Sequence, residues 1–409
     1  MTSPCRFCGS TSRESFADLG MSPLSNAFVK PEKASGMEPF YPLHAFVCNA
    51  CFLVQLEEFR SPDDLFREYA YLSSYSETWL GHSRTFAENM CARLRLTSNS
   101  SVVEVASNDG YLLQYFAQKN IGVLGIEPAK NAAELAREKG IPTKVCFFGE
   151  TTAGELVSEG IRADLLVGNN VLAHVPDIND FVRGMKLLLA PGGLVSLEFP
   201  HLLRLMEQNQ FDTIYHEHFS YFSLATARRI LEFHGLSVVD VDELPTHGGS
   251  LRVFARHAEE SPEIRASVQR ELSIEDDFGL SRVDTYARFA ERPRESKMAL
   301  LSMLIDLRRA KKTIAAYGAP AKGNTLLNYC GVGVEFIDFT VDRNPQKQGC
   351  LLPGVRIPVF SPEKLEEARP DYILVLPWNL KDEIKGQLAY VRRWGCKFII
   401  PIPEARIET

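Results

Sequence analysis

Residues 101–127 read SVVEVASNDGYLLQYFAQKNIGVLGIE, and the fold follows from how this stretch divides. Five mostly apolar residues form a short strand that ends in a polar turn closed by Gly110. YLLQYFAQKN continues as a helix, and the next apolar run is a second strand that ends at Glu127. That is a βαβ unit. An acidic residue at the end of the second strand is placed to accept both ribose hydroxyls of a nucleotide. The first turn lacks the glycines of a dinucleotide fingerprint. Glu104-Val-Ala106-Ser107-Asn108-Asp109-Gly110 stands where G-x-G-x-x-G would be. A dinucleotide needs those glycines so that the backbone can touch its pyrophosphate. Glu104 and Asp109 would repel a pyrophosphate, yet they can hold an ammonium. The turn therefore favours S-adenosylmethionine, with Ser107 and Asn108 beside it.

The alternation continues outward. Helices at 131–139, 150–159, from Asp177 and at 226–234 separate strands at 143–147, 164–167, 194–199, 237–241 and 251–255. Five parallel strands and a closing hairpin make a doubly wound α/β sheet. Ligands bind such sheets at the carboxyl ends of the strands. Phe148, Asn169, Asn170, His174 and His247 all follow a strand, as do the residues of the first turn. So does the loop FDTIYHEHFSYFS, 211–223, which packs Tyr215, His216, Glu217, His218 and Tyr221 into seven positions. Ser223 at its end can cap the following helix. In an extended segment side chains alternate, so Tyr215 and Glu217 would face one way and His216 and His218 the other. A bent loop would break that rule. The bland reading is a satisfied polar loop, and the convergence on one sheet edge speaks against it.

Cys5-x-x-Cys8 and Cys48-x-x-Cys51 are two knuckles. Four thiolates complete a tetrahedral zinc site with no open position, which makes the ion structural. Five further cysteines are scattered, unlike a secreted disulfide framework. A chain of 409 residues with net charge −7 and no basic run is expected to form two or three domains, with no nucleic-acid or membrane surface. Without an apolar span or leader it is expected in the cytoplasm. Tyr69, Tyr71 and Tyr75 lie among serines, either as a pocket lining or as a surface linker.

Residues 259–312 read as charged helices. A second α/β unit begins at strand 313–316, which runs into Tyr317-Gly318-Ala-Pro-Ala-Lys322-Gly323-Asn324-Thr325. The Walker pattern fails because Asn324 stands where the lysine belongs. Lys322 and the helix amides could hold a diphosphate, or the turn could be a nucleotide fold kept for packing. The expected domains are 1–70, zinc-binding; 71–258, the cofactor-binding core; and 259–409, a helical segment with a smaller α/β domain.

The four-cysteine N-terminus, SNDGYLL, GNNVLAHVPD, IYHEHFSYFS, HGGSLRV and YGAPAKGN occur here in the order seen in the zinc-containing sugar C-methyltransferases of TDP-deoxysugar biosynthesis, which the chain resembles over nearly its whole length. Within that family it is most similar to members that methylate C-3 of a TDP-linked 3-amino-4-ketosugar in D-tetronitrose formation for antibiotics. The resemblance implies a Rossmann-like methyltransferase core, an N-terminal zinc domain and a C-terminal domain that helps bind the nucleotide sugar. One departure is Ala106, where the family tends to have glycine. Tighter packing is expected there, with binding retained.

Methylating carbon beside a ketone requires a base for the α proton and a partner for the enolate oxygen. His218 is the expected base, and Tyr215 the rival base or enolate donor. Glu217 would orient an imidazole or hold a sugar amine. His174 and Tyr69 would polarise the ketone. Lys322, Asn324, His247 and Tyr75 would contact the nucleotide sugar. Cofactor contacts are expected from Glu104, Ser107, Asn108, Asp109, Glu127, Phe148, Asn169 and Asn170. Two other classes stay open: a non-catalytic nucleotide-sugar-binding protein on this fold, and a nucleotide-sugar oxidoreductase using the C-terminal unit.

Overall fold

The computed structural model describes residues 3–61, 63 and 72–409. They form two compact units that are discontinuous in sequence. The first holds residues up to Ser12, Ala50–His201 and Phe219–Ser281; the second holds Arg13–Asn49, Leu202–His218 and Arg282–Thr409.

The first unit is built on a seven-stranded sheet. Its order is Leu236–Leu244, Ser250–His257, Leu189–Pro200, Ala163–Asn169, Ser101–Val105, Gly122–Ile126 and Thr143–Lys144. The last five are mutually parallel, and Ser250–His257 alone runs against its neighbours. Five parallel strands and a closing hairpin are thus what the alternation of apolar runs and helices predicts. The parallel strands read as continuous apolar runs because both faces are covered. Val102, Leu165, Val167 and Leu194 form a core with Phe86, Met90 and Phe116 from the helices Glu77–Leu94 and Leu113–Ala117. Ser76 caps the former, accepting from Trp79 N at 3.2 Å. Ser223 caps Leu224–Phe233 as expected, accepting from Thr226 N at 3.1 Å. Each cap satisfies an amide that a helix start leaves without a partner.

The second unit contains a hairpin, Arg13–Ser22 with Tyr41–Cys48, and a six-stranded sheet. That sheet runs Val359–Phe360, Thr340–Val341, Ile314–Tyr317, Tyr372–Val375, Lys397–Ile400, Arg406–Glu408; only the last strand is antiparallel. Helices Val283–Phe289 and Glu291–Arg309 also belong to this unit, and Tyr286 and Phe289 pack on Phe16 of the hairpin. Among the described residues no helix is long and apolar enough to cross a membrane.

Candidate functional site

In the first unit, the turn after Ser101–Val105 is wound from left-handed residues: φ is +57° at Ala106, +49° at Asn108 and +75° at Gly110. Ala106 N donates to Ile126 O at 2.8 Å, which hangs the turn on the neighbouring strand. Gly125 on that strand is required, since a Cβ there would collide with the Ser107 hydroxyl. Both oxygens of Glu127 accept backbone amides at 2.8 Å, one from Asn108 and one from Ala129. Each carboxylate oxygen has a second lone pair, so capacity for ribose hydroxyls remains. Burial raises the Glu127 pKa against those two amides. Asp109 is held by Lys139 Nζ at 3.0 Å, and Asn108 Oδ1 accepts from Ser73 N at 3.0 Å.

Glu104 is 0% exposed, and no donor among the described residues reaches either oxygen in hydrogen-bonding geometry. The Tyr111 hydroxyl is the polar group facing it. Burial drives its pKa well up, with Tyr111 opposing. A carboxyl enclosed in this way, with no hydrogen-bond partner among the described residues beyond the facing Tyr111 hydroxyl, suits the methionyl ammonium, so the turn fits S-adenosylmethionine. Asn169 Nδ2 reaches the Tyr111 hydroxyl at 3.4 Å, and Asn170 (φ +53°) donates its amide to Glu198 O at 2.7 Å. Phe148 packs edge-on against Phe181 at 5.4 Å.

A polar network stands beside these groups that sequence reasoning missed. Glu198 Oε2 meets His82 Nε2 at 2.9 Å and Arg252 Nη2 at 2.5 Å, and its Oε1 accepts from the Thr246 hydroxyl at 2.9 Å. Burial opposes its ionisation, but His82 and Arg252 hold its pKa at about 2. The network ties strand Leu189–Pro200 to the loop that carries His247. That histidine is left-handed (φ +56°) and meets the Trp79 ring edge-on at 5.3 Å. His174 lies half-buried in a one-turn helix, Leu172–His174. Tyr75 is 63% exposed in Ser73–Tyr75, and Tyr69 lies outside the described residues.

In the second unit, the loop with Tyr215 to His218 is bent. His218 N donates to Tyr215 O at 2.8 Å, closing a turn. The bend overturns the alternation expected of an extended segment and brings the Tyr215 hydroxyl to 2.8 Å from His218 Nε2. His218 Nδ1 lies 3.0 Å from Thr213 O. A carbonyl only accepts, so Nδ1 carries the hydrogen and Nε2 presents its lone pair to the phenol. His216, whose pKa burial lowers, reaches Pro42 O through Nε2 at 3.2 Å. Glu217, 4% exposed, accepts Asn26 Nδ2 on both oxygens at 2.8 and 2.9 Å. Burial pushes its pKa up to about 7, against Asn26 and the Lys347 ammonium.

The glycine turn of the same unit supports this loop. Gly318 has φ +88°, and a Cβ there would strike Pro377 at 2.7 Å, so the position requires glycine. Lys322, half-buried, bonds to Asn379 and sits 4.5 Å above the Trp378 ring. Trp378 Nε1 donates to Asp212 Oδ2 at 2.7 Å, just ahead of the catalytic candidates in sequence. Burial raises the Asp212 pKa to about 6 against Lys322, and lowers that of Lys322 to about 8 against Asp212. Asn324, 1% exposed, donates to Ser25 O at 2.6 Å, and the Thr325 hydroxyl donates to Ile214 O at 3.2 Å. Asn26 and Trp378 belong to no sequence motif, while Asp212 and Thr325 stand within the 211–223 loop and the glycine turn without any sign there of these partners. Their roles come from long-range packing alone.

In the first unit the sulfurs of Cys5 and Cys51 lie 3.5 Å apart. In the second unit the hairpin pairs Arg13 with Cys48. Hydrogen bonding from Cys51 takes the Cys5 thiol down to about 5, against burial. Four thiolates in two Cys-x-x-Cys knuckles fit a structural zinc ion.

Three family models match the chain: a putative zinc binding domain over residues 5–66, a methyltransferase domain over 80–241, and a C-methyltransferase C-terminal domain over 245–403. C-methyltransferase NovU of Streptomyces niveus is 39% identical over 403 residues, which are 98% of this chain and 96% of that protein. A ubiquinone biosynthesis O-methyltransferase of Bartonella tribocorum is 26% identical over 98 residues, 24% of this chain and 40% of that enzyme. Among solved structures, the magnesium protoporphyrin IX methyltransferase of Synechocystis PCC 6803 with bound SAH is 18% identical. It covers 43% of this chain and 84% of its own, with a TM-score of 0.35.

Proposed function

This chain belongs to the C-methyltransferase family and is an S-adenosylmethionine-dependent methyltransferase; on that premise we propose that it methylates C-3 of a TDP-linked 3-amino-4-keto-deoxysugar. The reading rests on the likeness of the sequence motifs to the sugar enzymes and on one observation. The unprotonated imidazole nitrogen of His218 accepts from the Tyr215 phenol at 2.8 Å. Such a pair can take the weakly acidic proton beside a ketone. The Tyr215 oxygen removes the C-3 proton as its own passes to His218 Nε2, and an enolate is left. Thr213 O stabilises the imidazolium through Nδ1. His174, with Tyr69, polarises the C-4 ketone and shares the enolate charge. Bound S-adenosylmethionine supplies an electrophilic methyl group on a sulfonium, held by Glu104, Asp109 and Glu127.

Glu217 holds the sugar amine. Lys322 takes the diphosphate, with Asn324 fixing its helix from beneath; His247 and Tyr75 border the sugar nucleotide. We assign the branched product to antibiotic sugar formation of the D-tetronitrose type. The setting is the reduced cytoplasm, where a four-thiolate zinc site persists. Mass spectrometry of a reaction with the TDP-linked 3-amino-4-ketosugar tests this reading. One added methyl group per sugar, matched by S-adenosylhomocysteine, is expected. Binding of both ligands without a methylated product would favour the non-catalytic alternative.

A further inference from the structure

We propose that Glu198 is a positioning residue whose buried carboxylate sets His247 from two sides. One oxygen holds the backbone that carries the histidine, and the other holds the aromatic wall that its ring meets. The inference rests on the proposed use of His247 toward the sugar nucleotide. All the groups involved lie in the first unit.

The first side is the backbone. His247 sits in the one-turn helix Thr246–Gly248, and His247, Gly248 and Gly249 follow one another at φ +56°, +91° and +120°. The left-handed region is costly for a residue with a Cβ, so His247 stays in it because its neighbours hold it there. Thr246 does most of this holding. Its carbonyl accepts Gly249 N at 2.8 Å and the Ser250 hydroxyl at 3.0 Å, which closes the turn. Its hydroxyl donates to Glu198 Oε1 at 2.9 Å, which fixes the turn to strand Leu189–Pro200.

The second side is the ring. Trp79 and His82 stand three apart on helix Glu77–Leu94 and so share a face; their rings stack at 4.9 Å. His247 meets Trp79 edge-on at 5.3 Å, and His82 Nε2 lies 2.9 Å from Glu198 Oε2. The path closes on itself, from Glu198 Oε1 through Thr246, His247, Trp79 and His82 back to Glu198 Oε2. Arg252 holds the carboxylate at the centre of this ring of contacts. It is the direct cross-strand partner of Glu198, and its guanidinium bonds Oε2 at 2.5 Å while lying over the Phe86 ring at 4.4 Å. Buried and with both oxygens engaged, Glu198 acts on a ligand through the histidine that it holds.

Thr246→Val keeps the shape of the side chain and removes the hydroxyl, which cuts the first side. His82→Phe keeps a ring against Trp79 and removes the nitrogen, which cuts the second. The Cε1–H signal of His247 in NMR, assigned by its loss in His247→Gln, follows the histidine directly. Both variants should move that signal. Thr246→Val should also raise the Michaelis constant for the sugar nucleotide about tenfold or more, as loss of a charge-assisted bond predicts, with S-adenosylhomocysteine affinity unchanged. Thr246→Ser, which keeps the hydroxyl, should restore both the signal and the constant. A His247 signal that stays in place in either Thr246→Val or His82→Phe overturns the inference. A moved signal with an unchanged Michaelis constant would leave Glu198 as proposed and refute the role of His247 toward the sugar nucleotide.

Discussion

The Tyr215 hydroxyl lies 2.8 Å from His218 Nε2, and the two rings tilt together with centroids 4.0 Å apart. A single turn makes this pair, because His218 N bonds back to Tyr215 O. Residues three apart are brought side by side, and the imidazole is fixed at its other nitrogen by Thr213 O. Neither side chain can turn away without breaking a bond that the backbone holds in place. This is the preorganisation that a proton relay needs.

Glu127 accepts the amides of Asn108 and Ala129, and in the proposed reading it also holds the cofactor ribose. Glu127→Ala removes its acceptors, and two charge-assisted bonds at about 1.5–3 kcal/mol each predict a loss of at least about a hundredfold in S-adenosylhomocysteine affinity. Isothermal titration measures it. Glu127→Gln keeps one oxygen acceptor and should fall between. Unchanged affinity in the alanine variant would remove the cofactor from this turn.

Zinc is expected at one ion per chain by elemental analysis of protein purified without chelator. Cys48→Ala should release it and lower the thermal midpoint before it alters cofactor binding, because a closed four-thiolate site contributes folding free energy. A wild-type preparation with no zinc and an unchanged melting curve under strong chelation would refute the assignment.

Ala106 adopts φ +57°, where a side chain costs about 1–2 kcal/mol relative to the right-handed region. Glycine relieves that strain, although its freedom in the unfolded chain costs about 0.5–1 kcal/mol. Ala106→Gly should therefore stabilise the protein by about 0.5–1 kcal/mol in urea unfolding, with cofactor affinity retained. A destabilised variant would mean that the alanine methyl packs productively in the turn.

How much of this was readable beforehand depended on range. Gly110, Glu127 and the apolar runs announce the first sheet locally, since strand period and turn chemistry act over a few residues. The two Cys-x-x-Cys knuckles announce their own site for the same reason. The bend at Tyr215 to His218 was not readable, because nothing in YHEH separates an extended run from a turn. Lys322 and Asn324 read as nucleotide-sugar contacts from the glycine turn, with Lys322 and the helix amides toward a diphosphate. In the structure Asn324 is buried on Ser25 O, and Lys322 sits over Trp378 near Asp212. Asn26 and Glu198 gave no signal at all. Each acts through a partner more than a hundred residues away, or through a loop whose path the sequence does not reveal.

Lys322 distinguishes two roles by kinetics. If its ammonium takes the diphosphate, Lys322→Met should raise the Michaelis constant for the sugar nucleotide about tenfold or more and leave that for S-adenosylmethionine unchanged. A fall in turnover with both constants unchanged would instead make Lys322 a support for the Asp212 segment.

Burial also makes Glu217 a source of pH-dependent stability. Its folded pKa, about 7, lies above the unfolded value near 4.5. The folded state therefore binds the extra proton. The favourable contribution is whole below pH of about 4.5 and is lost as the pH rises through about 7. Urea unfolding of the wild type should weaken across that window by about 3 kcal/mol relative to Glu217→Gln. Parallel curves for the two proteins would contradict the burial of an ionisable group there.

Exchange of the sugar's C-3 proton with deuterated water, followed by NMR with S-adenosylhomocysteine in place of the methyl donor, tests the central claim most directly. Deprotonation then proceeds without methyl transfer. The wild type should exchange that position. His218→Asn should lose the exchange by about 10²–10⁴-fold while binding both ligands, as the loss of a positioned base requires. Tyr215→Phe should fail likewise, since it keeps the ring and removes only the relaying hydroxyl. Exchange at the wild-type rate in His218→Asn would contradict the account, whatever the residual methylation.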